Sequence, residues 1–124
     1  MKSDIQNRKD INLFTTQFYD KLLSDKEIQH FFEAIIKNNT LESHLKIVAD
    51  FWEDLLFQTL NYQKNAMKPH LFLNKTNPFQ KKHFEIWLKH FNNTIDQHFT
   101  GTKADLAKTR ALSIATVMQI KMQH

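Results

Sequence analysis

Apolar side chains recur along this chain three or four residues apart, and nowhere do they alternate with polar ones as a strand requires. Asn7, with Asp10 three residues on, predicts the start of a first helix. Ile11, Phe14, Phe18 and Leu22 lie on one face of it. Ser24-Asp25-Lys26-Glu27 predicts a capping box that opens a short second helix, with Ile28, Phe31, Phe32 and Ile35 as its apolar side. A third helix starts at Asn39 or Thr40 and carries Leu41, Leu45, Val48, Trp52 and Leu55. Asn77 caps a fourth, with Pro78 at the first helical position, where a missing N–H costs nothing. Its expected buried face is Phe84, Trp87 or Leu88, Phe91 and Ile95. Gly101 breaks the chain, and Thr102 with Asp105 opens a last helix. Leu106, Arg110, Ser113 or Ile114, and Val117 are its predicted inner side. The pattern is that of an all-α fold.

Periodicity is weakest from Asn61 to Asn77, the longest connection between helices. In a compact helical domain such a length marks a functional segment or one that a ligand orders. His70 lies inside it, in Met67-Lys68-Pro69-His70-Leu71-Phe72-Leu73. A lone loop histidine is ordinarily a surface residue. Here Leu71 and Leu73 flank it with apolar surface, and Pro69 stiffens its approach. A histidine so mounted between two apolar helices suits a haem iron, because one axial imidazole suffices and aromatic walls do the rest. The other ring nitrogen would need an acceptor such as a backbone carbonyl.

Composition narrows the chemistry. A length of 124 residues fits a single domain, 1–124, with one core. Eleven Phe against two Trp and two Tyr suit a core or a flat apolar pocket equally. The absence of Cys excludes disulfides, thiolate zinc sites, Fe–S clusters and thiolate-ligated haem. A single Gly leaves no room for a glycine-rich phosphate loop or a nucleophile elbow. No apolar run approaches the roughly 20 residues of a membrane span. The first ten residues lack a signal-peptide core, so the expectation is a soluble cytoplasmic protein. The net charge of +4 is scattered over Lys21, Lys26, Lys37, Lys46, Lys64 and others. A nucleic-acid footprint would cluster on one face, so these lysines read as solvated surface.

Several further residues could carry chemistry. Tyr19 and Trp87 lie on or beside apolar faces, and two readings of them stay open. They are core aromatics, or they are donors whose polar tips enter a dry cavity and stabilise charge on a bound ligand. His44 shares a helix face with Val48 and Trp52, where it is either solvated or a gate over a pocket. Glu27 and His30 form one Glu-x-x-His pair, whereas a di-iron bundle needs two such motifs and two further Glu. His83, His90 and His98 make a loose stripe that reads as solvated.

Taken together, the pattern resembles the group III truncated haemoglobins from about Ile11 to Met122. Tyr19, in Gln17-Phe18-Tyr19-Asp20-Lys21, falls where that family has its B-helix tyrosine. Ser43-His44 falls at its distal E-helix histidine, with Val48 and Trp52 on the distal wall. Lys68-Pro69-His70-Leu71 matches its proximal F-helix histidine. Phe84-Glu85-Ile86-Trp87-Leu88 matches the G-helix segment whose tryptophan faces the ligand. Groups I and II usually carry glycine pairs between helices, and this chain has none, as in group III. It departs from the family at Tyr62-Gln63-Lys64, where Tyr-x-Gly is common.

The resemblance implies a shortened globin, a two-on-two helical sandwich around one haem b, with His70 as the only protein ligand to iron. It places Phe31, Phe32, His44, Val48, Trp52, Phe79, Phe84 and Trp87 around the haem. Tyr19, His44 and Trp87 become the distal, ligand-facing set. The implied function is reversible binding of O2, NO, CO or a related small ligand by a monomer. The alternative is an enzyme at the same haem, a nitric oxide dioxygenase or a peroxidase-like protein served by a separate reductase. A third reading dispenses with haem and makes the chain a helical bundle that uses Glu27 and His30 for a metal, or else an interaction module.

Overall fold

The computed structural model describes residues 2–32, 41–58 and 80–122. They form helices α1 (Arg8–Ser24), α2 (Leu41–Phe57), α3 (Lys81–His98) and α4 (Thr102–Met122), with a 3-10 turn over Gln29–Phe32 after α1. Among the described residues there is no strand, only an isolated parallel bridge between Ser3 and Phe99. Helix α1 packs on α2 and on α3, α3 runs along α4, and α2 touches α4. Two packed pairs, α1 with α2 and α3 with α4, thus lie against each other, the two-on-two sandwich that the resemblance implies.

The first helix starts where its side chains dictate. Asn7 Oδ1 accepts from the Asp10 backbone N–H at 3.0 Å, which satisfies one of the unpaired donors of the first turn. The reciprocal bond goes one residue further out than a capping box has it: Asp10 Oδ2 accepts from the Gln6 N–H at 2.8 Å. Ile11, Phe14, Phe18 and Leu22 are all buried, as the spacing predicts. Arg8 pins this end of α1 to α2, with Nη1 at 2.7 Å from Asp50 Oδ1 and 3.0 Å from Glu53 Oε1.

The boundary after α1 differs from the sequence reading, for a local reason. Ser24 does not cap a second helix, because α1 keeps it as its last residue. Asp25 takes over, its Oδ1 accepting from the Glu27 N–H at 2.9 Å, and Gln29–Phe32 then make one 3-10 turn that holds Phe31 and Phe32 inside. Asn77 and Pro78, expected to open the fourth helix, lie outside the described residues, as do Ile35, Asn39 and Thr40. The described helix begins at Lys81, where His83 Nδ1 accepts from the Gln80 N–H at 2.9 Å. In α2 the fully buried stripe is Ala49, Trp52 and Leu56, while Leu41, Leu45, Val48 and Leu55 are half-buried beside it.

The last helix turns the other way from its predicted face. Ala104, Ala107, Ala111, Ala115 and Met118 are buried, whereas Leu112 and Val117 are 56% and 43% exposed. Arg110 and Ser113 are exposed too, and Leu106 and Ile114 are half-buried. Alanine carries little hydrophobic signal, but it lets the α4 backbone approach α3 closely, and interaxial distance depends on side-chain size at the contact.

The N-terminal segment locks the α3–α4 corner. The Thr100 N–H donates to the Ser3 carbonyl at 3.0 Å, and Asp4 caps α4 by accepting from the Lys103 and Ala104 N–H groups at 2.9 and 2.8 Å. Gly101, the only glycine, has φ +141°, and a Cβ there would sit 2.6 Å from Asp4 Cγ. Both the backbone angle and the space require glycine. Gly101→Ala is therefore expected to cost about 2 kcal/mol or more, from strain plus a displaced cap. Urea unfolding checks it; an unchanged midpoint would mean that the corner re-forms without penalty.

Candidate functional site

The core is an aromatic cluster that runs from α1 into α2 and α3. Phe14 and Phe18 are one turn apart on α1. Phe14 meets Trp52 at 6.0 Å between centroids and 74° between planes, and Phe91 at 5.8 Å and 85°. Phe18 meets Trp87 at 5.4 Å and 77°, Phe91 at 5.2 Å and 89°, and its neighbour Tyr19 at 5.6 Å and 84°. Edge-to-face pairs of this kind are each worth about 0.5–1.5 kcal/mol beyond area burial.

Tyr19 is where this cluster becomes polar. Its ring meets Phe32 of the 3-10 turn at 5.9 Å and the His44 imidazole of α2 at 5.2 Å. Tyr19 Oη and His44 Nε2 are 2.8 Å apart and hydrogen-bonded. Burial pushes the Tyr19 phenol well above its ordinary range, so it stays protonated. Burial also holds the half-buried His44 imidazole below its usual range, which favours the neutral ring. The tautomer then decides the direction. With the hydrogen on Nδ1, the phenol donates to Nε2. With the hydrogen on Nε2, the imidazole donates to Oη and the phenol hydrogen is free for a third group.

Of the residues expected to form a site, Phe31, Phe32, Trp52, Phe84, Trp87 and Tyr19 are buried. His44 and Val48 are half-buried on α2, four residues apart, with Trp52 one turn further. The structure thus brings Tyr19, His44 and Phe32 into direct contact, and links Trp87 to them through Phe18. Trp87 is 6% exposed, and among the described residues no group accepts a hydrogen bond from its indole. His70 and Phe79 lie outside the described residues.

The three histidines expected to form a solvated stripe do not. His83 is buried, its ring 4.6 Å from Phe31 and 6.3 Å from His30, while its Nδ1 caps α3. His90 Nε2 is 2.7 Å from Asp25 Oδ2, tying α3 to the end of α1. That hydrogen bond is the main cause that lowers the Asp25 pKa. His98 Nε2 is 2.6 Å from Gln17 Oε1. Sequence spacing puts all three on one helix, but partners from another helix are not visible in spacing. Among the described residues no group of three or more His, Asp and Glu is placed to hold a metal ion.

No helix among the described residues is long and apolar enough to cross a membrane. No protein-family model matches the chain. A curated relative, the group 3 truncated haemoglobin ctb of Campylobacter jejuni, is 29% identical over 121 residues, 96% of this chain and 93% of the relative. A solved structure, the crystal structure of a group III truncated haemoglobin from Campylobacter jejuni, superposes with a TM-score of 0.85 at 27% identity. That match covers 98% of this chain and 95% of the other. In sequence and backbone the chain is similar, almost from end to end, to the group III truncated haemoglobins.

Proposed function

We propose that the protein binds one haem b through His70 and holds O2 or a related diatomic ligand reversibly on the side of Tyr19, His44 and Trp87. The observation that carries this reading is the Tyr19–His44 pair, two neutral polar side chains hydrogen-bonded at 2.8 Å beside an aromatic cluster. The residues fit the group. Phe31, Phe32, Val48, Trp52 and Phe84 would supply apolar wall for a flat macrocycle. The Trp87 indole, without an acceptor among the described residues, supplies a further donor. When bound, haem would supply the iron at which a diatomic gas could be held.

The chain's own residues do the rest. Tyr19 and Trp87 donate to charge on a bound ligand in a dry pocket, where a hydrogen bond to a charged acceptor is strongest. For Tyr19 to donate, His44 must carry its hydrogen on Nε2 and give it to the phenol oxygen. His44 would therefore orient Tyr19, and its half-buried place beside that residue suits a gate over the pocket.

Titration of the haem-free protein with haem tests this reading. A Soret band that saturates at one haem per chain is expected, together with a higher melting temperature. Ligand binding to the native state alone stabilises by about 4 kcal/mol at 1,000 times the dissociation constant. No Soret band and no change in melting would mean that the chain does not take up haem.

A further inference from the structure

We infer that Phe91 is a positioning residue for the ligand-binding pocket: it sets the plane of the Trp87 indole and so the direction of its N–H. The inference rests on the reading of Trp87 as a donor.

Phe91 has no exposed surface. Two indoles lie nearly parallel to its ring, Trp52 at 5.0 Å and 25° and Trp87 at 6.0 Å and 14°. Stacked rings by themselves slide and turn at little cost. Phe91 is prevented from doing so because Phe14 and Phe18 meet it edge-on at 85° and 89°. Both come from α1, one turn apart, so the ring is braced by a different helix from its own. Trp87 is then held on two sides, by stacking on Phe91 and by Phe18 at 77°.

The physical consequence is specific. An indole has one N–H, fixed in the ring plane, so whatever sets the plane sets the hydrogen bond. Among the described residues nothing accepts from that N–H, so its direction is set by ring packing rather than by a local hydrogen bond. A donor must be held within a few tenths of an ångström of its working geometry by residues behind it, and Phe91 occupies that place for Trp87. The same ring touches Trp52, so donor and wall share one support.

The test uses the haem-loaded protein and the variants Phe91→Met, Trp87→Phe and the double variant. Methionine fills most of the volume but has no plane. Phe91→Met is expected to speed O2 release about fivefold, part of what a full charged hydrogen bond is worth, and to leave CO release nearly unchanged. In the Trp87→Phe background the same change should add nothing for O2. Relaxation of the Trp87 indole 15N–H in the CO-bound protein should show a rigid ring in the wild type and a looser one in Phe91→Met. Equal acceleration of both gases, or an O2 effect that persists without Trp87, would reduce Phe91 to core packing. A Trp87 indole that is already loose in the wild type would overturn the inference without any variant. If Trp87→Phe alone leaves O2 release untouched, the donor reading fails. The indole relaxation still judges Phe91.

Discussion

His70→Ala is expected to yield protein with little bound haem, restored in part by added imidazole. One axial histidine is enough to hold haem in a globin-like site, so on the proposed reading its loss would remove the protein bond to iron. Four of the described histidines already have partners. His44 is engaged with Tyr19, His83 with the start of α3, His90 with Asp25 and His98 with Gln17. The remaining hold on the macrocycle would be apolar contact, about 25 cal/mol per Å² of buried apolar surface and without orientation. Haem content after purification, and the Soret spectrum with and without imidazole, make the measurement. Full haem content with an unaltered spectrum in His70→Ala would assign the iron to another residue.

Tyr19→Phe and Trp87→Phe should each speed O2 release about tenfold or more while changing CO release far less. A hydrogen bond to a charged acceptor is worth roughly 1.5–3 kcal/mol, and each 1.4 kcal/mol is about a factor of ten in rate. CO gathers little charge on its oxygen, so it takes little from either donor. The contrast between the gases separates a donor from a wall. A cavity left by the smaller side chain would ease the passage of both. Tyr19→Phe keeps the ring and its contacts with Phe18, Phe32 and His44, so it removes the hydroxyl alone. It also leaves His44 Nε2 without that partner. Stopped-flow release rates for both gases decide. If both shift alike, or neither shifts, these side chains are structural and the polar distal site is wrong.

Much of the candidate site is legible in the chain because it sits on strongly periodic helices. Phe14, Phe18, Trp52, Phe84, Trp87 and Phe91 fall at helical spacing and are buried where that spacing puts them. Tyr19 lies next to Phe18, at the edge of the same face, and is buried with it. The resemblance through Tyr19, His44 and the segment Phe84–Leu88 pointed to the same group of proteins that the chain is similar to in sequence and backbone. What spacing could not supply was partnership between helices. The Tyr19–His44 hydrogen bond, the Asp25–His90 pair and the His83 cap each join residues far apart in sequence or set by a neighbour's exact orientation.

Sequence alone determined the all-helical character, the cap at Asn7, the aromatic faces of α1 and α3 and the break at Gly101. Each of these depends on side chains within a turn or two, or on a backbone angle that only glycine takes freely. Tertiary structure decided which way α4 faces. Its large apolar residues suggested one side, but α3 and α2 select the alanine side because the smaller residues let the helices approach and pack. Tertiary structure also turned Ser24 from a cap into a helix end, and three histidines of α3 from solvated groups into ties with Gln80, Asp25 and Gln17. A polar side chain's role depends on what another helix brings within about 3 Å of it, and that distance is not written in one-dimensional spacing.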